Sequence, residues 1–177
     1  DRIAFETNHA SNNLYAETLL RTLGKELRQS SCYDSSYVAI NDAFAELGLA
    51  GQKGVRIQDG SGLSRQNLVS PEALCRFLYA MTSSPAFDVF LNSLPSPGFA
   101  GTLEYNMKGQ PEALRSRIKV KSGSMNGVRC YSGYIIPTEG CKDQTIIFSI
   151  MVNNCTAPSW KVRQLLDKII ATLAASN

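Results

Sequence analysis

The sequence predicts an α+β fold in which several helices precede a small antiparallel sheet and a terminal helix packs on that sheet. Three observations predict it. Apolar residues recur at helical spacing up to residue 115, alternate with polar residues beyond it, and return to helical spacing from residue 158. With 177 residues, 44% of them apolar, the chain is long enough to bury a core.

The first part of the chain, residues 1–115, is mainly helical in its periodicity. Four helices are predicted there: 12–28, 35–47, one that begins at Pro71, and 86–94. Ser70 is a favoured cap for the third of these helices, since its hydroxyl can accept from a backbone N–H in the first turn. The glycine-bearing segment 57–65 is predicted to be a loop in which Asp59 bonds the backbone of its own turn.

The second part, residues 116–177, is predicted to form the sheet and the terminal helix. Three strands are predicted: 117–121, 128–136 and 145–152. In the first strand Ile118 and Val120 share one face, while Lys119 and Lys121 share the other. The last two strands should form an antiparallel hairpin, connected through Pro137 and Gly140. Strand 145–152 is apolar on both faces, so we expect both to be covered, one of them by helix 158–175.

Charge and hydropathy exclude two classes of partner. Eighteen basic and fifteen acidic residues give a net charge of +3, and the basic residues are scattered, so nucleic acid is not a predicted partner. The longest apolar run is the size of a strand and is far shorter than the roughly 20 residues of a membrane span. The chain opens on Asp1 without Met or an apolar leader, so we expect it to be processed or cut from something longer.

The histidine and cysteine content gives no metal or cofactor site. His9 is the single histidine, so a multi-histidine zinc site is excluded, and we expect it to be an exposed residue before a helix. The five cysteines contain no Cys-x-x-Cys pair, which argues against a zinc ribbon or a thioredoxin site. One disulfide is conceivable among three of them: Cys130, Cys141 and Cys155.

Two short elements could carry chemistry. The first is Ser11-Asn12-Asn13 at the start of the first predicted helix, where Ser and Asn are also favoured simply as N-caps. The second is Lys121-Ser122-Gly123-Ser124 at the end of the alternating strand, which could equally be a solvated strand end with a turn glycine. The segment 59–62 does not fit a dinucleotide loop, because it lacks the third glycine of that motif.

In this order and 110 residues apart, the two elements resemble two signatures of active-site serine penicillin-recognising enzymes, Ser-x-Asn and Lys-Thr/Ser-Gly. The surrounding sequence strengthens the resemblance over nearly the whole chain. Five segments carry it: 11–21, 59–65, 101–103, 121–124 and 131–134. They resemble the low-molecular-mass penicillin-binding proteins that act as D-alanyl-D-alanine carboxypeptidases and endopeptidases.

This resemblance implies roles for individual residues. Ser11 would relay a proton to the departing amine, and Asn13 would hold the peptide group of the substrate. Lys121 would place an ammonium beside Ser11 and favour the terminal carboxylate of the substrate. The residues that follow it would bind substrate: the hydroxyls of Ser122 and Ser124 would contact the carboxylate, and Gly123 would let the substrate backbone lie along the strand edge.

The backbone N–H of Ser124 would also be one donor of the oxyanion hole.

The third signature of such enzymes, Ser-x-x-Lys, carries the nucleophile and is expected to lie outside this chain. The single literal match is Ser116-Arg117-Ile118-Lys119. It follows the Ser-x-Asn element, which is the wrong order. On an alternating strand its Ser and Lys would also point to opposite faces, whereas the family needs them one helical turn apart.

We therefore expect residues 1–177 to be the C-terminal part of a penicillin-binding, serine β-lactamase-like domain, completed by a missing N-terminal part of the same protein. The resemblance implies that the whole protein cleaves peptidoglycan stem peptides through an acyl-serine, is inhibited by β-lactams, and works in the periplasm or elsewhere outside the bacterial cytoplasm. The alternative is a non-catalytic module that binds peptidoglycan or a partner protein. What precedes Asp1 in the gene would discriminate between them.

Overall fold

The computed structural model describes residues 1–51, 53–138 and 144–176. Within these ranges the elements are, in order, α1 (Arg2–His9), α2 (Asn13–Arg28), α3 (Tyr33–Glu46), β1 (Val55–Arg56), β2 (Leu68–Val69), α4 (Pro71–Met81), α5 (Phe87–Ser93), α6 (Glu112–Ser116), β3 (Ile118–Met125), β4 (Val128–Ile135), β5 (Ile146–Val152) and α7 (Ser159–Ala175). Most helices precede the main sheet and one follows it, so the predicted α+β fold is confirmed.

The main sheet has the strand order β3-β4-β5, and both pairs are antiparallel. Its register aligns Lys121 with Ser132, and Ser132 in turn with Ser149. The hydroxyls of these two serines lie 2.8 Å apart. A polar row therefore crosses the sheet from the lysine of β3 to the middle of β5.

Helices cover the sheet on both faces. On one face α7 packs against the sheet, and Leu166 shares a buried cluster with Phe148. On the other face Ile147 packs against a cluster that contains Leu78 of α4 and Tyr134 of β4. The Tyr134 hydroxyl donates to the Leu78 carbonyl at 2.8 Å. The expectation that β5 is covered on both faces, once by the terminal helix, is confirmed.

The helix starts follow the sequence signals closely. The Ser70 hydroxyl accepts from the N–H of Ala73 at 3.1 Å, and Pro71 is the first residue of α4. Pro158 precedes α7, because a proline fits the start of a helix but cannot continue one. The short elements α1, α6, β1 and β2 were not predicted: the last three have too few residues to show a period, and α1 has no buried residue and so no clear apolar face.

Two expectations were wrong. His9 is not an exposed residue before a helix: it is the half-buried last residue of α1, and its ring stacks on Phe5 with 4.1 Å between centroids. Ser116 does not lie on the alternating strand: it ends α6, where its hydroxyl donates to the Ala113 carbonyl at 3.2 Å. Lys119 lies in β3, so the literal Ser-x-x-Lys match spans two different elements.

Cys130 and Cys155 are free thiols. The third cysteine considered for a disulfide, Cys141, lies outside the described residues, as does Gly140 of the β4–β5 connection.

In the described ranges no helix is long and apolar enough to cross a membrane.

The packing of α7 predicts that two neighbouring leucines contribute very differently to the free energy of unfolding. Leu166 is 1% exposed within the core, whereas Leu165 is 59% exposed on the outer face of the same helix. Leu166→Ala should lower the free energy of unfolding by about 2–5 kcal/mol, because it leaves a cavity. Leu165→Ala should change it by at most about 0.5 kcal/mol. Urea unfolding of both variants measures the contrast, and equal losses would contradict this placement of α7.

Candidate active site

Ser11 lies in the tight turn between α1 and α2, with its backbone in the left-handed region at φ 51°. A serine rarely adopts this conformation, and such strain often marks a functional position. The cap of α2 is the next residue, Asn12, whose side-chain oxygen accepts from the N–H of Tyr15 at 3.1 Å. The N-cap interpretation therefore applies to Asn12, and the hydroxyl of Ser11 is available for other contacts.

The hydroxyl of Ser11 contacts the ammonium of Lys121, a residue in the second part of the chain. Lys121 Nζ donates to Ser11 Oγ and to the carbonyl oxygen of Ser122, the latter at 2.8 Å. The lysine is largely buried beneath the α1–α2 turn, and this burial lowers the pKa of Lys121 below its ordinary value. A lowered pKa makes the ammonium a better proton donor than a lysine in water.

A second lysine lies on the same face of β3. Burial lowers the pKa of Lys119 as well. Burial, followed by the positive charge of Lys119, lowers the pKa of His9 from 6.5, and Glu6 opposes that effect. His9 is thus neutral at neutral pH. Its described contacts are with Phe5 and with the backbone of the 101–102 turn rather than with Ser11.

Among the described residues, no strand pairs with the outer edge of β3 beyond Lys121. The N–H of Val120 points away from β4, because it donates to the carbonyl oxygen of Pro95 at 3.0 Å. Backbone groups of an antiparallel strand alternate in direction, so those of Ser122 and Ser124 point to the same outer edge. An extended peptide could pair with this edge as an added strand.

The side chains of the Lys-Ser-Gly element project from both faces of β3. Lys121 and Gly123 share one face, while Ser122 and Ser124 share the other. A carboxylate that contacts both the ammonium and the two hydroxyls must therefore lie beyond the edge rather than over either face. A Cβ at Gly123 would contact only Cys130, at 3.9 Å, so a side chain there would project into open space at this edge.

Asn13 is the first residue of α2 and is exposed. In the described part of the chain its side-chain amide has no hydrogen-bond partner, so it can serve an incoming ligand. Of the residues predicted for the site, the structure therefore joins Ser11, Lys121 and the carbonyl of Ser122 directly. It leaves Asn13, Gly123 and Ser124 exposed.

The loop around Asp59 is held together by hydrogen bonds to that carboxylate. Its carboxylate accepts from the side chains of Ser61 and Asn67 and from the N–H groups of Gly62 and Ser64. Burial alone would raise the pKa of Asp59, but these hydrogen bonds, led by that of Asn67, lower it overall. The predicted turn-bonding role is thus what the geometry shows.

The same loop is attached to α2 through Gly60, whose N–H donates to a carboxylate oxygen of Glu17 at 2.8 Å. A Cβ at Gly60 would lie 2.6 Å from the carbonyl oxygen of Ala16, so only glycine permits this approach. In the described ranges no group of three or more His, Cys, Asp or Glu residues could hold a metal ion.

Sequence reasoning offered the Ser11-Asn12-Asn13 element as an N-cap without saying which of its residues caps the helix, and the structure assigns that role to Asn12. It missed a second contact that holds the Ser11 turn, a hydrogen bond from the N–H of Thr102 to the carbonyl oxygen of His9, at 3.0 Å. No local pattern predicts it, because it joins segments far apart in the sequence.

Comparison with known proteins gives a family for this arrangement. Residues 2–173 match the model of the D-Ala-D-Ala carboxypeptidase 3 (S13) family. The chain belongs to this family. The S13 assignment agrees with the resemblance to low-molecular-mass penicillin-binding carboxypeptidases and endopeptidases that the two sequence elements carry.

Two curated relatives are similar along most of the chain. The D-alanyl-D-alanine carboxypeptidase of Actinomadura sp. (strain R39) is 34% identical over 154 residues, which are 84% of this chain and 27% of that protein. The penicillin-sensitive carboxypeptidase A of Dictyostelium discoideum is 33% identical over 169 residues, 92% of this chain and 32% of that protein. The S13 chain described here thus spans about a third of the length of these relatives.

Solved structures show the same fold. Penicillin binding protein 4 of Haemophilus influenzae, in complex with a β-lactam, superposes with a TM-score of 0.82 at 20% identity, over 99% of this chain and 40% of that chain. The predatory endopeptidase of Bdellovibrio bacteriovorus, acylated by penicillin G and in complex with an immunity protein, superposes with a TM-score of 0.71 at 19% identity, over 99% of this chain and 45% of that chain.

The burial of Lys121 predicts that its ammonium titrates with a pKa below that of a lysine in water. In lysine-labelled protein the Cε resonance of Lys121 should titrate below the ordinary lysine pKa of about 10.4, because burial disfavours the charged form. The same resonance in urea-unfolded protein is the control and should return to the ordinary value. Loss of the signal in Lys121→Arg assigns it. A folded-state midpoint at or above the unfolded one would contradict the buried position.

Proposed function

We propose that this chain supplies part of the active site of a serine-type D-Ala-D-Ala carboxypeptidase and endopeptidase that acts on peptidoglycan stem peptides through an acyl-serine. The observation that carries the proposal is the hydrogen bond from Lys121 Nζ to Ser11 Oγ at the end of an open strand edge. The nucleophilic serine comes from a Ser-x-x-Lys segment outside these 177 residues. The single literal match in the chain, Ser116, lies on α6 and is exposed.

The proton chemistry follows from the direction of that hydrogen bond. Because Lys121 donates to Ser11 Oγ, the hydroxyl hydrogen of Ser11 is free to point at another acceptor. The nucleophilic serine passes its proton to the neutral lysine of its own Ser-x-x-Lys segment as it attacks the carbonyl carbon of the penultimate D-alanine, and the C–N bond to the terminal residue breaks. The departing amine takes the hydroxyl proton of Ser11, Lys121 replaces that proton, and the proton held by the Ser-x-x-Lys lysine returns to Lys121. A water molecule then hydrolyses the acyl-serine: its hydroxyl group joins the carbonyl carbon, and its other proton restores the serine hydroxyl.

Substrate recognition uses the open edge of β3. The terminal carboxylate lies beyond the edge, where it meets the ammonium of Lys121 and the hydroxyls of Ser122 and Ser124. The substrate backbone pairs with the outward N–H and C=O groups of the strand, and the absence of a side chain at Gly123 leaves room for it. The N–H of Ser124 faces this edge and serves as one donor to the oxyanion. The exposed amide of Asn13 holds the substrate peptide group.

β-Lactams enter the same site, because they carry a carboxylate and an acylating carbonyl in a similar arrangement to the substrate. Peptidoglycan lies outside the cytoplasm, so we propose a periplasmic or otherwise extracytoplasmic location in a bacterium. Each step uses hydroxyls, an ammonium and backbone N–H groups, and no cofactor or metal enters the proposal.

Replacing either member of the pair should slow acylation of the full-length protein. Ser11→Ala removes the proton relay, and Lys121→Met removes its proton donor, so each should lower the rate of labelling by fluorescent penicillin by about 10²- to 10⁴-fold. Stopped-flow or quenched labelling followed by gel fluorescence measures the rate. Matched controls are Ser116→Ala and Lys119→Met, which change the same residue types outside the pair.

This assignment of roles would be contradicted if the control variants slowed labelling as much as Ser11→Ala and Lys121→Met do. A full-length protein that binds penicillin without any covalent adduct would instead favour the non-catalytic module, which binds peptidoglycan or a partner protein.

The isolated chain of 177 residues should be inert to penicillin, because it lacks the nucleophile. Intact-mass spectrometry after incubation with penicillin G should show the unmodified mass, while the full-length protein gains one adduct. Adding the missing N-terminal part as a separate polypeptide is a further arm, and an adduct should then form on that part. An adduct on the isolated chain, mapped to Ser11 or Ser116, would overturn the expectation.

A further inference from the structure

One segment, residues 95–102, bonds to both sides of the Ser11–Lys121 pair, and we name it the bridging segment. At its start the carbonyl oxygen of Pro95 accepts from the N–H of Val120, one residue before Lys121, at 3.0 Å. At its end the N–H of Thr102 donates to the carbonyl oxygen of His9, two residues before Ser11, at 3.0 Å. The two members of the pair, which come from opposite parts of the chain, are thus tied to one short segment.

The contact with α1 requires a glycine. Gly101 has φ +104°, a conformation that side-chain-bearing residues rarely adopt. A Cβ at this position would lie 2.7 Å from His9 Nδ1 and 2.9 Å from the His9 carbonyl oxygen. The second of these atoms belongs to the backbone and cannot swing away. Any side chain at position 101 must therefore push the end of α1, and the turn that carries Ser11, away from the bridging segment.

The segment is stiff enough to act as a spacer. Pro95 and Pro97 are fully buried, and their rings fix the backbone φ angle. The N–H of Gly98 closes a turn on the carbonyl of Leu103 at 2.8 Å. Just before the segment, the buried hydroxyl of Ser93 accepts from Asn8 Nδ2 at 2.7 Å, which gives α1 a second attachment.

We infer that the bridging segment sets the separation of Ser11 Oγ and Lys121 Nζ, and that Gly101 and Asn8 are positioning residues for this pair. That this separation matters for catalysis rests on the proposed function. The effect of the two residues on the separation itself does not. Gly101 keeps the end of α1 close to the bridging segment, and Asn8 ties α1 to Ser93 at the end of α5.

The direct test follows the ammonium protons of Lys121 by ¹⁵N NMR of lysine-labelled protein. These protons exchange slowly with water while they are held by Ser11 Oγ and the Ser122 carbonyl. Gly101→Ala and Asn8→Ala should each speed their exchange several-fold. Two controls should leave it unchanged: Gly109→Ala, where a new Cβ meets nothing within 4 Å, and Thr7→Ala, whose hydroxyl donates within α1 to the carbonyl oxygen of Ile3.

A second readout is penicillin acylation of the full-length protein. Misplacing the pair should lower the first-order acylation rate about 10- to 100-fold and change the affinity for penicillin before acylation much less, because the strand edge and the hydroxyls of Ser122 and Ser124 stay in place. A variant that merely lost stability would show less labelled protein at an unchanged rate constant.

Asn8→Ala changes no backbone angle and should fold even where Gly101→Ala does not. Unchanged ammonium exchange in Asn8→Ala, or in a folded Gly101→Ala, would overturn the inference. Because exchange is measured without catalysis, a protein that never reacts with penicillin would reject the proposed function and leave this test intact.

Discussion

Burial of a charged amine is the constraint on which the rest of this structure depends. An ammonium removed from water costs free energy unless oxygen atoms surround it. Lys121 finds two, the hydroxyl of Ser11 and the carbonyl of its own neighbour Ser122. The first acceptor reaches it only because the α1–α2 turn lies against the end of β3. This hydrogen bond therefore depends on how the helices are arranged on the sheet.

Several features that cost stability lie together at this point. Ser11 has a positive φ, Lys121 is a partly buried charge, and in the described ranges the outer edge of β3 beyond Val120 offers backbone groups that pair with no strand. Each is unfavourable by itself, and proteins tend to keep such features where they serve function. The cores on the two faces of the sheet compensate for them. Between α7 on one side and α4 on the other, β4 and β5 are held in place, and β3 is attached to them by its pairing with β4.

These features belong to a member of the S13 family, although the chain spans about a third of the length of its curated relatives. Two sequence elements that are 110 residues apart, the one that contains Ser11 and the one that contains Lys121, meet in space. The pair is therefore formed within this chain alone. In the proposed enzyme the nucleophile would approach a proton relay whose geometry is already set, which lowers the cost of organising the site.

The sequence by itself determined the α+β order, the longer helices and strands, and the residue types of both site elements, because periodicity, caps and short motifs are local properties. It could not detect α1, and it left open whether Ser11 was a cap or a functional hydroxyl. The tertiary structure decided those points: Asn12 takes the cap, Ser11 meets Lys121, and the backbone of Gly101 lies against His9. These contacts join distant segments, and their geometry depends on how whole elements pack, which no local pattern contains.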